Sequence, residues 1–152
     1  NDLNYLENKL GYEPLSKDFD YQFLKHGLSR SKSMIKSKLL DQSFIAGLGN
    51  IYVDESLWLA KIHPEKKSDT ISGIKIRRLS DAIPMILKKA IEHNGTTIIN
   101  FSFGNDSIGS YKEKLNVFGK TGDVCIRCKK SKIVKIFVSQ RGTHFCPRCQ
   151  KK

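Results

Sequence analysis

Ala46-Gly47-Leu48-Gly49-Asn50-Ile51-Tyr52-Val53-Asp54-Glu55 is the stretch on which the reading of this chain turns. A glycine-rich turn ending at Asn50 runs at once into a helical segment from about Ile51 to Lys61, and the pair His63-Pro64 stops it. A helix that starts behind two glycines presents backbone N–H groups and the positive end of its dipole, which suits a phosphate. Asn50 adds a side-chain amide there, and Lys36 and Lys38 bring charge from the preceding segment. Many helices start after glycine with no ligand, so the turn alone does not establish binding.

The flanks read as a helical body. Residues 1–16, with Gly11 and Pro14, form a lead-in segment or linker. Ser16 precedes a helix predicted over 17–26, with Phe19, Phe23 and Leu24 on one side and Gly27 ending it. Ser31 or Ser33 is expected to cap a second helix carrying Met34, Ile35, Leu39 and Leu40. Ile76, Leu79, Ile83, Leu87, Ala90 and Ile91 recur at helical spacing and predict a longer helix from about Ser72 to His93. Pro84 inside that run is expected to kink or restart it, and Asn94-Gly95 to cap it. Residues 100–111 have no clear period and read as a long loop.

All four cysteines lie in the last 28 residues, as Cys125-Ile-Arg-Cys128 and Cys146-Pro-Arg-Cys149, with 17 residues between the pairs. Two such knuckles are the spacing of a tetrahedral zinc site. Two disulfides or an iron site compete with that reading. Reduced thiols and a thiolate tetrahedron favour one Zn2+, and four cysteine ligands leave no open position, so the metal is structural. Between the knuckles, Ile133 to Val138 reads as a strand, Gln140-Arg141-Gly142 as a turn and Thr143-His144-Phe145 as the return strand.

The chain has 152 residues and a formal net charge of +12, which points to a polyanionic partner, most commonly nucleic acid. No apolar run approaches the roughly 20 residues that span a bilayer, and no signal-peptide pattern is present. The expectation is a soluble intracellular protein. Because the first residue is Asn1 rather than Met, the chain is also expected to be a processed or excised piece of a longer one.

Taken together, these segments resemble the bacterial formamidopyrimidine-DNA glycosylase family of the endonuclease VIII superfamily. The resemblance rests on Leu39-Leu40-Asp41-Gln42, the Ala46–Glu55 stretch, Ile62-His63-Pro64 and Asn94-Gly95-Thr96-Thr97. It extends through Leu115-Asn116-Val117-Phe118-Gly119-Lys120-Thr121-Gly122 and Gln140-Arg141-Gly142-Thr143-His144-Phe145-Cys146-Pro147, from about Leu10 to the C-terminus. It implies a mainly α fold: a helix–two-turn–helix bundle followed by a four-cysteine zinc β-hairpin finger. The implied division is 1–16 lead-in, 17–115 DNA-binding domain and 116–152 zinc finger. Family enzymes flip an oxidised purine out of damaged duplex DNA, excise it and cleave the backbone by β,δ-elimination. Carried over by position, Lys36, Gly49 and Asn50 resemble the phosphate-holding residues, and Arg141 resembles the hairpin-tip arginine that clamps phosphates. The segment containing Asn100, Phe101, Ser102, Phe103, Gly104 and Tyr111 resembles the loop that closes over the extruded base.

The departures matter as much. The family nucleophile is an N-terminal proline followed by a glutamate on a separate β-rich domain, whereas this chain starts Asn1-Asp2-Leu3-Asn4. The expectation is the C-terminal half of a glycosylase/lyase: a bacterial, cytoplasmic, nucleoid-associated monomer that binds damaged DNA but does not cut it without the missing catalytic domain. The linker between knuckles is about one residue longer than usual, around Lys129-Lys130-Ser131, which leaves the hairpin register open. The competing functions are a non-catalytic zinc-ribbon nucleic-acid-binding module and a zinc ribbon that reads protein.

Other residues receive plainer readings. His26, His93 and His144 lack ligand partners at metal spacing, and His63 before Pro64 closes a turn. Asp54 and Glu55 read as a first-turn pair favoured by the helix dipole, with Glu55 also a candidate for orienting the site. Tyr52, Leu57 and Trp58 read as core, and the lysine pairs as solvated faces that add salt-sensitive attraction.

Overall fold

The computed structural model describes residues 11–94 and 114–152. The first ten residues of the lead-in, the Gly95 half of the expected cap, and the loop candidates Asn100, Phe101, Ser102, Phe103, Gly104 and Tyr111 lie outside the described residues.

Among the described residues, four α-helices precede a two-stranded hairpin. Helix α1 spans Tyr21–Ser29, later than the predicted 17–26, because the Asp20 side chain accepts the Phe23 N–H at 2.9 Å and caps it there. Ser16, the expected cap, donates its hydroxyl to the Glu13 carbonyl instead. Gly27 does not end the helix but lies inside it, where a methyl group would overlap the Phe44 ring. The glycine is there for packing: it lets the ring approach the helix backbone and stack on Phe23, with ring centroids 5.0 Å apart.

Helix α2 spans Ile35–Leu40 and has no side-chain cap. Ser31 and Ser33, the expected caps, bond to each other. The first N–H groups of α2 are met by main chain: Ile35 donates to the Lys66 carbonyl at 2.7 Å and Lys36 to that of Pro64 at 3.2 Å.

Helix α3, Asn50–Ala60, is the centre of the molecule, buried over nearly all its faces. It ends where Lys61 turns left-handed at φ 63° and donates its N–H back to the last turn. A short 3-10 turn, Ser68–Thr70, leads to helix α4, Gly73–Asn94. α4 runs through Pro84 without restarting. Leu79 and Ile83 before the proline and Leu87 and Ala90 after it enter one core, which offsets the roughly 3 kcal/mol that an internal proline costs. α3 packs along α4, and α1 also leans on α4.

The hairpin pairs β1, Val134–Val138, with β2, Arg141–Phe145, in antiparallel register from Val134↔Phe145 to Val138↔Arg141. Its turn is Ser139–Gln140, both left-handed at φ 50° and 65°, rather than the predicted Gln140-Arg141-Gly142. A two-residue turn between twisted strands needs positive φ at both positions, and Arg141 consequently opens β2. A second apolar cluster of Trp58, Val117, Cys125, Ile133 and Cys146 joins this finger to α3. No helix among the described residues is long and apolar enough to cross a membrane.

In an ordinary helix interior a Gly→Ala change stabilises by up to about 1 kcal/mol. Gly27→Ala is expected to do the reverse here, lowering stability by about 1–3 kcal/mol as an overpacked core does. Urea denaturation checks the sign; an unchanged or raised midpoint would contradict the packing role.

Candidate nucleic-acid interface and metal centre

Lys36 is fully buried, unlike a phosphate-facing lysine. Its Nζ donates to Asp54 Oδ1 at 2.7 Å, to the Gly142 carbonyl at 3.0 Å and to Thr143 Oγ1 at 2.8 Å. Thr143 passes its own hydroxyl proton to the Arg141 carbonyl at 3.0 Å, so it accepts from Lys36. Three acceptors match the three protons of an ammonium, whereas a neutral amine has only two. Burial pushes the Lys36 pKa below its ordinary value, against the pull of Asp54, and nearby Arg141 pushes the same way.

Asp54 uses both carboxylate oxygens. Oδ1 takes Lys36; Oδ2 accepts the His144 N–H at 2.9 Å and lies 3.3 Å from His144 Nδ1. Asn50 Nδ2 donates to the same Gly142 carbonyl, at 3.1 Å. Hence α2, the start of α3 and strand β2 meet at one point, and the exposed Arg141 side chain leaves the strand immediately beside it. Arg141 has no carboxylate partner among the described residues. Gly49, just before α3, has an extended backbone (φ −86°, ψ 173°) that any residue adopts, and a methyl there would meet nothing nearer than 3.9 Å. Neither backbone nor packing demands glycine, and the space before the helix stays open.

Asp54 and Glu55 are not the first-turn dipole pair expected of them: the first turn of α3 has no acid, and both side chains are buried. Glu55 Oε1 accepts the Asn116 main-chain and side-chain N–H groups at 2.8 and 3.1 Å. Its Oε2 accepts the Val117 and Phe118 N–H groups at 2.8 and 2.9 Å. Burial raises its pKa while these four donors pull it back. Glu55 thereby orients the chain feeding the finger.

The four cysteine sulfurs lie within 4.8 Å of one another. Cys125–Cys149 and Cys128–Cys146 are 3.9 and 3.8 Å apart, each pair joining the two knuckles. Disulfide sulfurs are about 2.0 Å apart, so neither bridge forms. A zinc tetrahedron with bonds of about 2.3 Å has edges of about 3.8 Å, and the four thiols fit one ion. The backbone N–H groups of Lys130 and Ser131 hold the Cys128 thiol down to about 6, while burial pushes that of Cys146 up to about 12. A divalent cation compensates the buried Cys146 thiolate. Arg127 fastens the knuckle to α3: its guanidinium lies 3.9 Å above the Trp58 ring, donates to the Trp58 carbonyl at 2.7 Å and points Nε at Cys149 Sγ at 3.4 Å.

The structure thus brings together Asn50 and the base of Arg141, leaves Gly49 open, and turns Lys36 inward. Trp58 and Tyr52 are core residues. His63 accepts the Glu65 N–H on Nδ1 at 3.0 Å and closes its turn. Sequence reasoning missed Asp54, Thr143, Arg127 and Gln150, the last of which accepts from Cys146 N–H and donates to the Ile62 carbonyl. One signal was available. Two adjacent acids in the apolar run Tyr52–Trp58 must either be solvated or have buried partners.

Residues 10–102 match the family model described as the formamidopyrimidine-DNA glycosylase H2TH domain, and residues 122–152 match the zinc finger found in FPG and IleRS. The chain is 49% identical over 142 residues to the formamidopyrimidine-DNA glycosylase of Lactobacillus helveticus, covering 93% of this chain and 51% of that relative. It is 48% identical over 148 residues to the one from Lactococcus lactis subsp. lactis, covering 97% and 54%. Among solved structures, the complex of Lactococcus lactis Fpg with DNA containing an abasic site superposes with a TM-score of 0.85 at 46% identity, over 99% of this chain and 55% of that one. The complex of the same enzyme with FAPY-dG-containing DNA gives 0.85 at 47% identity, over 99% and 54%. The chain therefore spans about half the length of the curated relatives it matches, and corresponds to their C-terminal part.

Two outcomes follow from this geometry. Lys36→Met strands a buried carboxylate and is expected to cost about 3–5 kcal/mol in urea denaturation. A loss below about 1 kcal/mol, the scale of an exposed pair, would contradict the buried network. Chelating zinc is expected to abolish amide protection across 117–150 and red-shift the fluorescence of Trp58, the single tryptophan. Helical circular dichroism should largely persist; unchanged protection in the finger would refute the metal's structural role.

Proposed function

Because the chain belongs to the formamidopyrimidine-DNA glycosylase family, we propose that it grips damaged duplex DNA for an enzyme that removes oxidised purines. The observation that carries this reading is the bond from Asn50 Nδ2 to the Gly142 carbonyl, which fixes the N-terminus of α3 beside the emerging Arg141 side chain. In this reading Gly49 lets a phosphate approach the helix N-terminus, and Asn50 and Arg141 hold phosphates flanking an extruded nucleotide. The extrusion costs a few kcal/mol, which charge-assisted bonds to the strand offset. Lys36, with all three ammonium protons given to protein acceptors, holds the hairpin instead of a phosphate.

The substrate class follows the relatives: DNA carrying an abasic site or a formamidopyrimidine-type guanine. Excision and β,δ-elimination belong to the full-length protein, with the nucleophile outside this chain. We assign residues 17–115 to DNA binding and 116–152 to the zinc finger. The protein works as a monomer in the bacterial cytoplasm, on the nucleoid.

Fluorescence anisotropy with the zinc-loaded chain tests the reading. A duplex carrying a tetrahydrofuran abasic analogue is expected to bind more tightly than an intact one, with affinity falling steeply as salt rises. Asn50→Ala and Arg141→Ala should each cost about 1–3 kcal/mol. Unchanged affinity in both variants, or binding indifferent to salt, would overturn the assignment and favour a finger that reads protein.

A further inference from the structure

We propose that Asp54 is a positioning residue for DNA binding: through Lys36 and His144 it fixes strand β2 so that Arg141 leaves the strand beside Asn50. This rests on the reading of Arg141 as a phosphate clamp and assigns a role to a residue that touches no DNA.

Each of the three residues after Arg141 is tied to the Asp54 carboxylate, directly or through one intermediary. His144 donates its N–H to Oδ2 at 2.9 Å. Gly142 and Thr143 accept from the Lys36 ammonium, which Oδ1 holds at 2.7 Å. Thr143 in turn donates to the Arg141 carbonyl at 3.0 Å, so the chain of bonds ends on the clamp residue itself. On the far side of Arg141 a single hydroxyl–hydroxyl bond, between Ser37 and Ser139 at 2.6 Å, ties the turn to α2. There the turn runs through Ser139 and Gln140 at φ 50° and 65°, a left-handed pair without glycine that persists only where its surroundings enforce it.

Charge works to the same end. The Lys36 ammonium sits on the carbonyl of Gly142, the residue next to Arg141, and the Arg141 charge pushes the Lys36 pKa down. Asp54 neutralises the buried ammonium and lets a second cation stand above it. An amide at position 54 keeps the shape but has one acceptor oxygen and no charge. Either Lys36 or the His144 N–H then loses its partner, and the repulsion on Arg141 returns.

A double-mutant cycle in the zinc-loaded full chain separates positioning from mere stability. Affinity for the tetrahydrofuran duplex is measured for the unmodified chain, Asp54→Asn, Arg141→Ala and the double variant. Arg141→Ala alone is expected to weaken binding roughly ten-fold, the scale of a lost charge-assisted bond. Asp54→Asn should weaken it by a similar factor, and adding Arg141→Ala to it should then cost less than about two-fold. An Arg141→Ala penalty of the same size in both backgrounds overturns the proposal while the clamp reading stands. No penalty in the unmodified chain overturns the clamp reading itself. Should Asp54→Asn lose its helical circular dichroism, Thr143→Val replaces it, since it removes the hydroxyl that links Lys36 to the Arg141 carbonyl while the bonds of Lys36 to Asp54 and Gly142 remain. That variant should shrink the Arg141→Ala penalty at least about three-fold, and an undiminished penalty overturns the proposal equally.

Discussion

A lysine ammonium buried under a hairpin is the interaction on which the arrangement of this molecule depends. Taking Lys36 and Asp54 out of water costs several kcal/mol per ion, and the return comes only where every proton and lone pair finds a partner. Here every ammonium proton does, meeting a carboxylate, a carbonyl and a hydroxyl, and the carboxylate also accepts the His144 N–H. An apolar pair of equal volume would pack as well but would not dictate an orientation. Hydrogen bonds to Gly142 and Thr143 have direction, and so they set the register of β2 against α2 and α3.

The finger needs that direction because it is too small to supply its own. Its apolar contact with the helical body runs through a cluster around Trp58, Val117 and Ile133 and through Phe118 and Phe145, and apolar contact alone leaves rotation loosely specified. Polar anchors at its margins remove that freedom. Glu55 receives the incoming strand of chain at Asn116, Val117 and Phe118. Gln150 bridges the second knuckle to Ile62, two residues beyond α3, and Arg127 lies over Trp58 while reaching a cysteine sulfur. The metal folds the knuckles and α3 aims them. Four of these partners, Asn50, Asp54, Glu55 and Trp58, stand on that single helix, which accounts for its burial on nearly every face.

What could be read in the sequence was whatever is local. The cysteine spacing, the glycine-opened start of α3 and the apolar period of α4 each depend on residues a few positions apart, and the structure has all three. What stayed hidden depended on distant partners. Lys36 beside Lys38 reads as charge offered to a phosphate, but a hairpin more than 100 positions later buries it. Gly27 reads as a helix stop until Phe44 is seen against it, and Pro84 reads as a break until the shared core on both sides is known. The Ser139–Gln140 turn lacks the Asn-Gly signature that would have announced it. The predicted turn Gln140-Arg141-Gly142 falls too late by a residue or two, since Arg141 opens the return strand instead of forming the turn.

The helical body and the finger form one unit fastened at the Lys36 ammonium. Proton exchange of lysine ammonium groups, resolved by nitrogen-15 spectroscopy in the zinc-loaded chain at neutral pH, tests it most directly. One slowly exchanging ammonium signal with cross-peaks to Thr143 is expected, lost when the metal is withdrawn. An ammonium at Lys36 exchanging as fast as the surface lysines, with or without zinc, would contradict it.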